Sequence, residues 1–286
     1  MHKPFLSLHE QVELLDQRGL DVGDAQQAAH ALHRLNYYRV SGYGREFQVA
    51  PSRGDDDYDA GASLERILGL MDRDARLRLL LTEALIEIEI GVRSRFAHEA
   101  GRVHGSHAFY LESAAYLDST PDLGSHIAKI RRELLRPQLR TVARYRSGDD
   151  LSRVPIWVAI EVVTFGALAK MVWYLDPPLA AQRTADAAGL QRTGFGSSIH
   201  SFAVLRNVCA HHGQLWHRSF DVMFATLPKE KKREPRHEPS SVYSGIVVAK
   251  RFLKGMNRLP DWSERVSALL DEDAEFRAGI LQPAPR

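Results

Sequence analysis

Residues 64–100 read LERILGLMDRDARLRLLLTEALIEIEIGVRSRFAHEA. Ile67, Leu70, Met71, Leu77, Leu81, Leu85, Ile88 and Val92 recur close to every 3.6 residues, the period of a helix with one apolar face. Ser63 stands where a side-chain oxygen can accept from the first free backbone N–H groups. Gly91 is an internal weak point, and Gly101 and Gly105 end the run. A helix this long cannot bury its apolar face alone, so other elements must cover it. Reading those elements decides the fold.

Working outward, Ser7 can cap a helix to about residue 18, with Leu8, Val12 and Leu15 on one face; Gly19 stops it. Asp24 can cap a second helix to about residue 35. Residues 35–48, LNYYRVSGYGREFQ, are rich in Tyr and broken by Gly42 and Gly44, which predicts a turn with a short helix or extended piece. Residues 51–62 read as a loop by composition. Residues 121–146 read as a basic helix carrying Arg131, Arg132, Arg136, Arg140, Arg144 and Arg146, with Pro137 expected to kink or split it.

Residues 154–175 are the most apolar segment, opened by Pro155 and closed by Pro177 and Pro178. A membrane span needs about 20 predominantly apolar residues. Glu161 and Lys170 interrupt this one, so it reads as a buried core helix and no membrane is expected. A short helix follows over 179–188. Residues 227–240, LPKEKKREPRHEPS, read as a flexible charged loop. Two helices, about 241–256 and 261–271, finish the chain before a fraying tail. No solenoid repeat and no strand hairpin stands out.

The expected fold is all-α: a helical bundle with one continuous core. Its parts are an N-terminal helical segment (1–60), a helical core (61–226), the charged loop (227–240) and C-terminal helices (241–286).

The 286 residues are 44% hydrophobic and 26% charged, the profile of a soluble globular chain. A net charge of +2 excludes a general polycation. The 30 Arg against 8 Lys favour forks suited to phosphate and carboxylate, although base composition of the gene is the simpler source of that bias. Cys209 is the single cysteine, which rules out an intrachain disulfide and a Cys-based zinc site and fits a reducing cytoplasm. The N-terminal residues lack an uninterrupted apolar core, so no signal peptide is expected.

The chemistry concentrates in residues 201–218, SFAVLRNVCAHHGQLWHR, read as a helix. Asn207 and His211 lie four apart and share a face. Arg206 is about 100° away around the axis, with a side chain long enough to fold back. His suits general acid–base work near neutral pH. Arg suits the extra charge of a phosphoryl transition state, and Asn can hold the imidazole or a phosphate oxygen.

These are the parts for metal-independent RNA cleavage, in which a 2′-hydroxyl attacks phosphorus and the 5′-oxygen leaves. Spacing alone is weak support. Arg followed by His five residues later occurs three times, at Arg93/His98, Arg102/His107 and Arg206/His211. With so many Arg and His, more than one such pair is expected by chance. His211, His212 and His217 have no carboxylate at ligand spacing, so neither a metal nor another cofactor is expected.

Four segments carry a resemblance: LNYYRVSGY (35–43), VRSRFAHEAG (92–101), PIWVAIEVVTFGALAKMVWYL (155–175) and LRNVCAHHGQLWHR (205–218). In this order they resemble the bacterial Abi-like abortive-infection family, of the HEPN superfamily. The resemblance implies a HEPN-like bundle and a role in bacteriophage defence. It implies a metal-independent endoribonuclease site with His211 as acid/base, Arg206 as phosphate stabiliser and Asn207 as orienter.

Such sites are usually completed by a second motif from a partner subunit or domain, which implies a homodimer. Arg93, Ser94 and His98 form the candidate second motif within this chain, expected to pack near the first. The candidate RNA-contacting residues are Tyr37, Tyr38, Arg39, Tyr43, Arg45 and His212, where aromatic faces adjoin cations. The alternative is a non-catalytic RNA-binding protein of the same family that holds a small RNA or regulates a partner such as an antitoxin. A third reading is a helix that only builds the bundle.

Overall fold

The computed structural model describes residues 4–136 and 138–283. The chain divides into two compact units, Met1–Leu77 and Arg78–Arg286. The first holds α1 (Leu8–Gln17), α2 (Ala25–Leu35) and α3 (Tyr37–Gly44), then a hairpin of β1 (Gln48–Ala50) and β2 (Asp55–Tyr58). The expected caps are in place. Ser7 forms a capping box with Glu10, the Asp24 carboxylate accepts from the Gln27 N–H at 2.8 Å, and the Ser63 hydroxyl accepts from the Arg66 N–H at 3.2 Å.

The hairpin corrects the expectation of no strand pairing and of a loop over 51–62. Gln48 pairs with Tyr58 and Ala50 with Asp55, antiparallel and irregular between them. Strands of three and four residues are too short to display alternation, and DDDY has little strand propensity. Burial of Tyr58 and the 2.7 Å bond from its N–H to the Arg18 carbonyl hold β2 in place.

α4 (Leu64–His104) is the long predicted helix, and Gly105 ends it at φ 83°. Ile67, Leu77, Leu81, Leu85, Ile88 and Val92 are fully buried along its length. Gly91 is a packing necessity: a Cβ there would stand 2.6 Å from the Met256 sulfur.

In the second unit follow α5 (Leu123–Leu134), α6 (Arg140–Ala143), α7 (Ile156–Ala159) and α8 (Phe165–Tyr174). The expected 121–146 helix is thus two shorter ones; Pro137, expected to split it, lies outside the described residues. The apolar 154–175 helix also breaks. Thr164 caps α8 by accepting from the Ala167 N–H at 3.4 Å, and its own N–H donates to buried Glu133 at 2.8 Å. A uniformly apolar run has no periodicity to reveal such a break.

The remaining helices are α9 (Leu179–Ala187), α10 (Phe195–Ala210), α11 (Pro228–Lys231), α12 (Val242–Gly255), α13 (Trp262–Asp271) and α14 (Ala274–Leu281). α8 and α10 pack along each other, and the core continues into α12 through Phe195, Phe202 and Phe252. Two expectations change here. Three helices, not two, finish the chain, with Asp273 capping α14. The 227–240 stretch contains α11, where Arg251 Nη1 donates to Glu230 at 2.5 Å. Among the described residues no helix is long and apolar enough to cross a membrane.

Candidate functional site: a carboxylate between two arginine motifs

α10 ends earlier than residues 201–218 suggest, and its ending shapes the site. His211 is the C-cap, its N–H still bonded to the Asn207 carbonyl at 3.0 Å. The His212 N–H then bonds Cys209 O at 3.1 Å and the Gly213 N–H bonds Val208 O at 2.8 Å, the paired bonds of a Schellman ending. His212 takes the left-handed position at φ 56°, one residue before the glycine that would have announced it. The chain therefore turns away directly after His211. Arg206, Asn207, His211 and His212 all remain exposed on the last turn and cap of α10.

The turn is fixed from below by α14. The His217 N–H donates to the Gly279 carbonyl at 3.0 Å, and the Trp216 indole N–H to Glu275 O at 3.4 Å. Trp216 is buried, so the loop after the histidines is anchored.

Glu89 of α4 lies between the two sequence motifs. Its Oε1 accepts from Arg93 Nε at 3.2 Å and Nη2 at 2.5 Å. Its Oε2 is 3.7 Å from Arg206 Nε. The Glu89 and Arg93 side chains are only 15% and 13% exposed, whereas Arg206 reaches into solvent. Arg93 Nη1 also donates to the Ile160 carbonyl in the turn after α7. One carboxylate thus holds the buried guanidinium of Arg93 and the open one of Arg206. A cation with a free face can take a phosphate oxygen, and an exposed imidazole on the same helix end can move a proton.

His98 does not join this cluster. It is 71% exposed, with Nε2 3.8 Å from the Glu99 carboxylate. Glu99 also takes Arg102 Nη1 at 3.4 Å. Ser94 and His98, four apart, instead line a cleft of about 460 Å³ with Ala97, Gly101, Trp157 and Glu161.

The tyrosine-rich candidates belong to the first unit. Tyr38 is exposed, edge-on to Tyr37 with ring centroids 5.7 Å apart. Tyr37 is half-buried, and burial raises its hydroxyl above the usual tyrosine value. Arg39 is half-buried and Arg45 exposed. Tyr43 is in the core, where its hydroxyl donates to buried Asp74 at 2.8 Å, so no ring face is left for stacking.

Among the described residues no group of three His, Cys, Asp or Glu is placed to hold a metal ion. Sequence reasoning missed Glu89, although an acid four residues before a base on a helix is a readable pairing with Arg93. It also missed Trp157, and it gave Glu161 no role beyond interrupting an apolar segment.

Fold and site together define an all-α protein whose polar centre is an Arg–Asn–His helix end joined through a carboxylate to a second arginine. Residues 30–217 match the Abi-like protein family. That match covers well over half of the chain and both arginine motifs, and the protein belongs to this abortive-infection family. No curated protein and no solved structure matches it.

Proposed function

We propose that the protein is a phage-defence endoribonuclease of HEPN type that cleaves RNA without a metal. His211 moves the proton, Arg206 binds the phosphate and Asn207 orients one or the other. The attacking 2′-oxygen bonds to phosphorus and loses its proton. The bond to the 5′-oxygen breaks and that oxygen gains a proton. The products are a 2′,3′-cyclic phosphate and a 5′-hydroxyl. A single imidazole can take one proton and return it, and a second copy of the chain would supply a separate acid.

The observation that carries this reading is the sharing of Glu89 by Arg93 and Arg206, with Asn207 and His211 open to solvent on the last turn and cap of the helix that carries Arg206. Arg93 contributes by fixing Glu89, which aims Arg206. A homodimer is favoured by Leu79, Ile86 and Ile90, exposed large apolar residues that fall on one face of α4.

The non-catalytic alternative, a protein that binds RNA or answers to a small RNA or antitoxin, draws support from His98. It lines a separate cleft, so the Arg93 motif brings no acid/base of its own to the cluster. The test is purified protein with total RNA in EDTA, beside His211→Ala. Cleavage lost in the variant with RNA binding retained supports the ribonuclease. Equal binding and no cleavage by either protein supports the alternative.

A further inference from the structure

The cleft beside Arg93 contains an aromatic ring that packing does not explain. Trp157, on the one-turn helix α7, is 47% exposed. One side of its indole lies against α4, with Cε3 and Cζ3 3.4 Å from where a Gly101 Cβ would stand. The rest of the ring opens into the 460 Å³ cleft, a volume within the range of small-ligand sites, about 300–1,000 Å³. Leaving so large an apolar surface half in water forgoes much of the gain from burying it.

The polar groups around the ring are few and specific. Glu161 is exposed and lines the cleft, and an ionised carboxylate only accepts hydrogen bonds. Ser94 and His98 face it from α4, and Arg102 brings a cation to the rim. The cleft adjoins the cluster already described, because Arg93 donates to the carbonyl of Ile160, the residue before Glu161.

We infer that this cleft binds an unpaired guanine base, stacked on Trp157 and held through its Watson–Crick edge by Glu161. Single-stranded RNA is read by stacking on aromatic rings and by hydrogen bonds to exposed base edges. Guanine presents two adjacent donors, N1–H and the N2 amino group, which a carboxylate accepts together. Adenine puts the acceptor N1 there, cytosine puts N3 beside its single amino donor, and uracil has one N–H between two carbonyls. Arg102 would take the phosphate of the bound nucleotide. The inference rests on the ribonuclease reading only in drawing the base from RNA; a free guanine nucleotide offers the same chemistry.

The test uses the full chain and fluorescence polarisation with labelled 2′-O-methyl hexamers, which cannot be cleaved. One carries a single guanine among uridines, the other a single adenine. GMP and AMP serve as competitors, and cleavage of total RNA is followed separately. The guanine hexamer should bind about tenfold tighter than the adenine one. Trp157→Leu should weaken it about tenfold, and Trp157→Tyr should restore most of that. Glu161→Gln should erase the preference while leaving adenine binding intact.

Quenching of tryptophan fluorescence by GMP and not by AMP, lost in Trp157→Leu, with no hexamer binding would keep the guanine site and remove RNA as its source. Cleavage of total RNA with no guanine preference and a neutral Trp157→Leu would overturn the site and leave the ribonuclease standing. A Trp157→Leu protein that turns monomeric in sedimentation with unchanged hexamer binding would overturn it too, by making Trp157 a subunit contact.

Discussion

Replacing Glu89 by Gln keeps the shape of the side chain and removes the charge between the two arginines. Removing one charge of a buried ion pair costs about 3–5 kcal/mol because the other is left unmatched. Arg93 makes two bonds to Glu89 in a nearly closed setting, and a Gln oxygen can still accept them, so the exchange costs the smaller amount of about 2–3 kcal/mol. The Arg206 contact, at 3.7 Å with an open guanidinium, adds no more than about 0.5 kcal/mol. The cost should appear as a fall of about 5–10 °C in Tm and as a lower urea midpoint with unchanged slope, followed by far-UV circular dichroism. Arg93→Met alone should also destabilise, and the double variant should lose less than the sum, because neither charge is then left unmatched.

Function should divide differently. Without Glu89, Arg206 keeps its charge and loses its anchor. RNA should bind no more weakly while cleavage falls by about 10- to 100-fold. A Glu89→Gln protein within about 0.5 kcal/mol of the parent, or one with unchanged cleavage, would refute the reasoning that Glu89 aligns the two motifs.

Three further outcomes follow from single contacts. His126 is buried edge-on to Tyr116 with Nε2 unpartnered, and burial, then Lys170 and Lys129, pushes its pKa down to about 4. Between pH 6.5 and 4 the unfolded chain holds the extra proton and the folded chain does not. Stability should therefore fall by about 3 kcal/mol across that window and level off below it; urea unfolding of His126→Phe at pH 7 and pH 4.5 should flatten this slope. Gly279→Ala would place a Cβ 2.2 Å from the Trp216 indole nitrogen, so it should cost at least about 1–3 kcal/mol and lower Tm. Tyr43→Phe leaves Asp74 without the hydroxyl that donates to it, and chemical denaturation should report a loss of about 1–3 kcal/mol.

The sequence was most readable where local chemistry decides structure. The Leu64–His104 helix declares itself by period, and Ser7, Asp24 and Ser63 act as the caps their positions suggest. It was least readable where tertiary contacts decide. The break before α8 depends on buried Glu133, thirty-one residues from Thr164. The end of α10 depends on His212 accepting a left-handed backbone that glycine usually takes. α14 follows two residues after α13, and its burial of Phe276 and Ile280 gives it purpose only once the bundle is assembled. At the site, Arg206, Asn207 and His211 stood out as a motif. Glu89, which joins them to Arg93, did not, because the side chains it bridges are more than a hundred positions apart.

Metal-independent cleavage by the proposed Arg206–Asn207–His211 site is tested by end-group analysis of a defined RNA after incubation with the protein in EDTA. The expected products carry 2′,3′-cyclic phosphate and 5′-hydroxyl ends, absent with Arg206→Ala and with His211→Ala although both variants fold. Ends of the opposite kind, a 3′-hydroxyl and a 5′-phosphate, or cleavage that survives His211→Ala, would contradict it.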